Sequence, residues 1–233
     1  MSASEQSAAR ATGLASIISL VAIISTSFGV FFRVIDHDDA VQTAQRILAD
    51  QRLFRLSIAG VLVNCVSLLV LVTALYEVLK RVNSYLALLT ALARLVQMFT
   101  WVFVAVNLFA AIRILTDPQN AQTFGPDRVP ALANLFLTGH DTYYVGLLFW
   151  ALGAATGSYL WFISRYVPRA LAVFGLIASS WCIVCTLIFY VYPNVERVLN
   201  WWFDTPLLLF EMTLSVWLVW KGIRQVDLAT VRV

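Results

Sequence analysis

Charge is what this sequence most lacks. Of 233 residues only 12% are Asp, Glu, Lys or Arg and 61% are hydrophobic, where a soluble domain carries roughly 25% charged and 45 to 50% apolar residues. That balance excludes a soluble domain and reads as an integral membrane protein. No polar, linker-like stretch is long enough for a second soluble domain, so the chain reads as one membrane domain over 1–233. Net charge is only +3, and the basic residues are scattered between apolar runs. Such a pattern leaves no footprint for nucleic acid. Cysteine is scarce too: Cys65, Cys182 and Cys185 all fall inside apolar runs, so no extracellular disulfide framework can be read. Histidine is limited to His37 and His140.

What is present in abundance is long apolar sequence. Crossing about 30 Å of hydrocarbon takes about 20 apolar residues in a helix. Six runs meet or approach that length, at roughly 12–32, 54–79, 85–115, 136–163, 169–192 and 206–221. The expected fold is therefore all-α, a bundle of six transmembrane helices. The first run has only Arg10 before it and no small-residue cleavage pattern after it, so it reads as a retained helix rather than a signal peptide. Orientation follows from Lys and Arg in the short loops. Six spans put both termini on one side, with Arg10, Lys80, Arg81, Arg165, Arg169, Lys221, Arg224 and Arg232. That side is expected to be cytoplasmic. The opposite side holds most of the aspartates, partly offset by seven arginines.

The opposite loops carry some pattern of their own. After "DHDD", the segment "AVQTAQRILAD" places Val41, Ala44, Ile47 and Leu48 near one face, as a short interfacial helix would, and a plain connector turn remains open. "TDPQNAQTFGPDRVP", with three prolines and a glycine, reads as an irregular loop. Trp201 and Trp202 in "NWWFD" suit the membrane interface, where amphipathic rings anchor.

Within the third run, "ALARLVQ" sets Arg94 and Gln97 well inside apolar sequence. An arginine at mid-span costs at least about 2.5 kcal/mol and so calls for a partner. Counting about 1.5 Å per residue, Arg94 lies roughly 13 Å and Glu211 about 15 Å from the cytoplasmic boundary. No other acidic residue lies at that depth. The third and sixth helices are therefore expected to pack together, pairing Arg94 with Glu211 and placing Gln97 one turn along the same face as Arg94. Such a pair is either a brace that fixes which helices touch or the wall of a polar cavity for a ligand or protons.

Other polar groups are weaker pointers. His140 and Asp141 at the outer end of the fourth helix, together with His37, offer imidazole and carboxylate groups for a metal or for catalysis, but at no recognisable spacing. A bis-histidine haem would use up both histidines, so no cofactor is expected. The three cysteines fall at similar depth, where apolar surroundings make them inert packing residues. Asn64 and Asn107 read as buried amides that bond across helices, Asn107 facing about 220° round from Arg94. Gly139, Gly146, Gly153 and Gly157 form a small-residue ridge along the fourth helix, allowing close approach of a neighbour.

"LFRLSIAG", "LALLTALARLVQ" with "VAVN", "SRYVPRALAVFGLIA" and "FEMTLSVWLVWKGI" together resemble a bacterial family of polytopic membrane proteins, domain-of-unknown-function family 4386. The similarity runs from about residue 10 to 224. It implies a recurrent Arg-Leu in the third span, matched by Arg94 and Leu95, and a recurrent Glu in the last span, matched by Glu211 ahead of Trp217, Leu218 and Gly222. The family's "SGYxPRxLG" junction is altered here to "SRYVPRALA". The resemblance implies a bacterial inner membrane and supplies no activity.

Three functional classes follow. One is a binding or transport protein holding a lipid-like or small amphipathic, anionic ligand at Arg94, Gln97 and Glu211. Another is an accessory or structural subunit with a membrane-protein partner or a second copy of itself. The last is an intramembrane enzyme at His140 and Asp141. Against transport stands the absence of internal repeats. Against the enzyme stands the lack of a nucleophile, base and orienter at a usable spacing. Membrane lipids are partners in every case.

Overall fold

The computed structural model describes residues 3–36, 39–137, 140–192, 194–195 and 202–224, with the side chains of residues 3, 140 and 141 outside that description. The chain is helical, and no strand occurs among the described residues. The elements are α1 (Ala3–Thr26), α2 (Ala40–Ala49), α3 (Gln51–Leu79), α4 (Ser84–Thr116), α5 (Pro118–Phe124), α6 (Val129–Leu137), α7 (His140–Ser164), α8 (Arg169–Val191) and α9 (Thr205–Trp220). A π-helical stretch, Ser27–Phe31, and a last turn, Phe32–Val34, continue α1.

Among the described residues five helical stretches are long and apolar enough to cross a membrane: Ser4–Val34, Gln51–Leu79, Ser84–Thr116, Val129–Ser164 and Arg169–Val191. The chain is thus an integral membrane protein. α9 is shorter, at 16 residues, about 24 Å long.

α8 turns mostly small residues inward. On α8 the buried positions are Ala172, Gly175, Ala178, Ser179, Cys182, Cys185, Thr186 and Phe189, the spacing of one helical face, while Ile177 and Val184 are more than half exposed. With lipid as solvent, large apolar side chains gain nothing by hiding, and small ones let backbones approach. The buried hydroxyls of α8 bond to their own helix: Ser179 donates to the Gly175 carbonyl at 2.6 Å and Thr186 to that of Cys182 at 2.8 Å.

The chain divides into two compact units, Met1–Ile18 with Ser67–Met98 and Tyr144–Val233, and Ser19–Val66 with Phe99–Tyr143. In the first, α8 and α9 pack through Gly175, where a Cβ would run into the Phe210 ring and the Ser158 hydroxyl. Gly13 of α1 meets α9 just as closely, since a Cβ there would lie 2.7 Å from the Ser215 carbonyl oxygen. Tyr144, Phe189 and Phe203 form a buried aromatic cluster, with Phe189 and Phe203 ring centroids 4.8 Å apart and edge to face.

The polar opening of α1, "ASEQSAAR", is helical because tertiary contacts hold it. Glu5 forms an ion pair with Arg81. Gln6 donates to the Lys221 carbonyl at 3.3 Å and accepts from the Ile223 amide at 3.2 Å, so its side chain caps the end of α9. Gly222 ends α9 with φ +65°, a conformation that favours glycine. At the α7–α8 junction Arg165 adopts φ 57°.

In the second unit Asp39 caps α2, its Oδ1 accepting from the Gln42 amide at 2.8 Å. Of the expected face, Ala44 and Ile47 are buried along with Thr43, but Val41 and Leu48 are exposed. α2 packs against α6. The segment expected to be an irregular loop instead contains α5. Asp117 Oδ1 accepts from the Gln119 amide at 3.0 Å, Pro118 occupies the first turn, and Gly125 ends the helix at φ 85°. Proline in the first turn gives up an amide that has no helical partner anyway, which is why a proline-rich segment still holds a helix.

Candidate functional site

The site builds up from α4. Residues three apart share a helical face, so Arg94 and Gln97 project together, and Arg94 Nη1 donates to Gln97 Oε1 at 3.2 Å. α9 brings Glu211 to the same place, and Arg94 Nη2 forms an ion pair with Glu211 Oε1. Arg94 and Glu211 are each 5% exposed and Gln97 8%. α7 makes the room. A Cβ at Gly153 would fall 3.0 Å from Arg94 Cγ and 3.2 Å from Cδ, so the arginine stem lies against a glycine backbone. One turn on, Gly157 faces Thr90, whose hydroxyl donates to Thr156 at 2.8 Å. Gly139, the first member of the expected ridge, lies outside the described residues.

Beside the ion pair is a cavity of about 20 Å³. Its polar wall is Thr12 and Ser16 of α1, Arg94, and Glu211 and Ser215 of α9; its apolar wall includes Leu71, Leu75, Trp161 and Phe210. Ser215 Oγ is 2.6 Å from both the Ser16 hydroxyl and the Glu211 carbonyl oxygen. Arg94 Nε is buried with no acceptor among the described residues, so the guanidinium meets the carboxylate through its Nη2 end rather than side-on. Chemically this is a charge-neutral pair whose Nε–H has no acceptor, next to hydroxyls, at the edge of a space that fits about one water.

This arrangement has a family context. Residues 11–222 match the family described as a domain of unknown function, DUF4386. The chain belongs to that family. Comparison of this DUF4386 member with curated proteins and with solved structures returns no match.

The other sequence candidates fall elsewhere. Asn64 is 1% exposed and accepts from the Ser19 hydroxyl at 2.6 Å across α3 and α1, within the second unit. Its Nδ2 has no partner among the described residues. Asn107, expected to be buried, is only half-buried, on a face of α4 well round from that of Arg94. Cys65, Cys182 and Cys185 are buried and unpaired. His37 and Trp201 lie outside the described residues. His140 and Asp141 open α7, with their side chains outside the description. Among the described residues no group of three or more His, Cys, Asp or Glu side chains could hold a metal ion. The hydroxyls Thr12, Ser16 and Ser215 escaped the sequence reading. Their signal was the four-residue spacing of Thr12 and Ser16, which puts both on one face of α1.

Proposed function

We propose that this DUF4386 protein is a six-span component of the bacterial inner membrane, with both termini cytoplasmic, that serves as an accessory or structural subunit braced by Arg94 and Glu211. Size is the observation that carries this reading. The space beside the pair is about 20 Å³, whereas pockets for drug-sized ligands run to about 300–1,000 Å³. The guanidinium and carboxylate are already engaged with each other, and Gly153 is shaped to the arginine stem. α9 is taken as the sixth span because exposed Trp202 and Trp220 flank it, and Lys221 Nζ stacks 4.8 Å from the Trp220 ring, anchors that let a short helix span. The orientation rests on Arg10, Lys80, Arg81, Arg165, Arg169, Lys221 and Arg224 gathering on the terminal side.

A second reading is favoured by one observation, the buried Arg94 Nε without an acceptor beside the Thr12, Ser16 and Ser215 hydroxyls. There, a small amphipathic anion is held by Arg94 when Glu211 swings aside and the cavity widens. Native mass spectrometry from lipid nanodiscs separates the two. A protein partner or a second copy retained by wild type supports the accessory role. A co-purified anionic molecule that disappears in Arg94→Gln, while the fold persists, replaces it with the binding role.

A further inference from the structure

Every acidic side chain that starts a helix in the second unit is committed to the backbone. Asp39 accepts from Gln42, Asp50 from Leu53 at 2.9 Å and Asp117 from Gln119. Of the arginines of this unit, Arg46 pairs with Asp36 and Gln42. Arg52 and Arg55, in the first turns of α3, are exposed and form no ion pair with any described residue. Arg33, Arg113 and Arg128, at the ends of other helices of the same unit, are exposed as well. No lysine occurs in the unit. A helix N-terminus carries partial positive charge and disfavours cations, so two arginines there gain from an external anion.

The face they stand on names the anion. Arg52, Arg55, Leu56, Ala59, Val63 and Val66 lie on one side of α3, all exposed, with Leu56 at 68%, Val63 at 48% and Val66 at 62%. An apolar stripe about an acyl chain long thus ends in two guanidinium groups three residues apart. A guanidinium binds phosphate oxygens through a two-pronged fork that an ammonium cannot reproduce. We propose that this face of α3 is a binding site for an anionic membrane phospholipid, its phosphate held by Arg52 and Arg55 and one acyl chain lying along Leu56, Ala59, Val63 and Val66. The site is separate from the Arg94 and Glu211 pair and does not depend on the role of that pair.

The test uses the full chain in nanodiscs of phosphatidylcholine with a minor fraction of phosphatidylglycerol. Lipids that survive release are counted by native mass spectrometry. Wild type is expected to retain phosphatidylglycerol in preference, and R52Q with R55Q to lower that preference by roughly fivefold for each arginine removed. R10Q with R165Q, which removes the same charge elsewhere, is expected to leave the preference unchanged. R52K with R55K is expected to keep only part of it, since the charge is retained without the fork. No preference in wild type, an equal loss in the R10Q with R165Q control, or full retention in the lysine variant each overturns the proposal. Inorganic phosphate at millimolar concentration is expected not to displace the lipid; displacement shows that the site takes free phosphate instead. Equal thermal midpoints of all variants in pure phosphatidylcholine show that the α3 face was altered without loss of fold.

Discussion

Replacing Arg165 with glycine is expected to stabilise the protein. Arg165 follows α7, its amide donating to the Trp161 carbonyl at 3.1 Å, and it holds φ 57°. The left-handed region costs an L-residue roughly 1–2 kcal/mol because Cβ crowds the following carbonyl. The arginine side chain is exposed and makes no ion pair with a described residue, so removing it sacrifices little. Glycine loses roughly 0.5–1 kcal/mol through its more flexible unfolded state. The difference leaves a net gain of about 0.5–1 kcal/mol, or roughly 1–4 °C in the unfolding midpoint for a chain of this length. Arg165→Ala keeps Cβ and should gain nothing, which makes it the control. Thermal unfolding of the three proteins in one detergent, followed by tryptophan fluorescence, measures the effect. A glycine variant no more stable than wild type or the alanine control refutes the reasoning.

Two further outcomes are expected. Gly175→Ala gains about 1 kcal/mol in helix propensity but forces a methyl against the Phe210 ring and the Ser158 hydroxyl, at a cost of about 1–3 kcal/mol, so net destabilisation of up to about 2 kcal/mol is expected, and a variant as stable as wild type shows that α8 and α9 are packed more loosely than described. Burial, followed by the nearby Glu5 carboxylate, raises the Tyr166 phenol above its ordinary pKa, with Arg81 opposing. The folded protein then holds a proton that the unfolded chain releases near pH 10, so this contribution is intact below about pH 10 and lost as pH climbs through the raised value; Tyr166→Phe should flatten that part of the alkaline unfolding curve, and an unchanged curve excludes Tyr166 as its source.

How far the sequence could be read depended on whether a feature was local. Hydropathy located the apolar helices because a span is a property of composition over about 20 residues. Depth counting brought Arg94 and Glu211 into register because a helix converts residue number into distance. The Asp39 cap was legible from a polar run ahead of an amphipathic one. The helicity of the first residues was not, since it depends on Arg81, Lys221 and Ile223, all more than 70 residues away. α5 was hidden because prolines that start a helix look in composition like prolines that break one. The division into two units left no mark, as it falls within apolar helices rather than at a linker. The exposure of Asn107 depends on how neighbouring helices close around α4, which phase alone does not give.

The central claim is that Arg94 and Glu211 act as one brace. A double-mutant cycle of Arg94→Gln, Glu211→Gln and the combination, with unfolding free energies measured in the same bilayer mimic, tests it most directly. Each single change leaves a buried charge without its partner and is expected to cost about 3–5 kcal/mol. The double change removes both charges and is expected to recover most of that loss. Singles that fold with wild-type stability, or a double whose loss is the sum of the two, would contradict the brace.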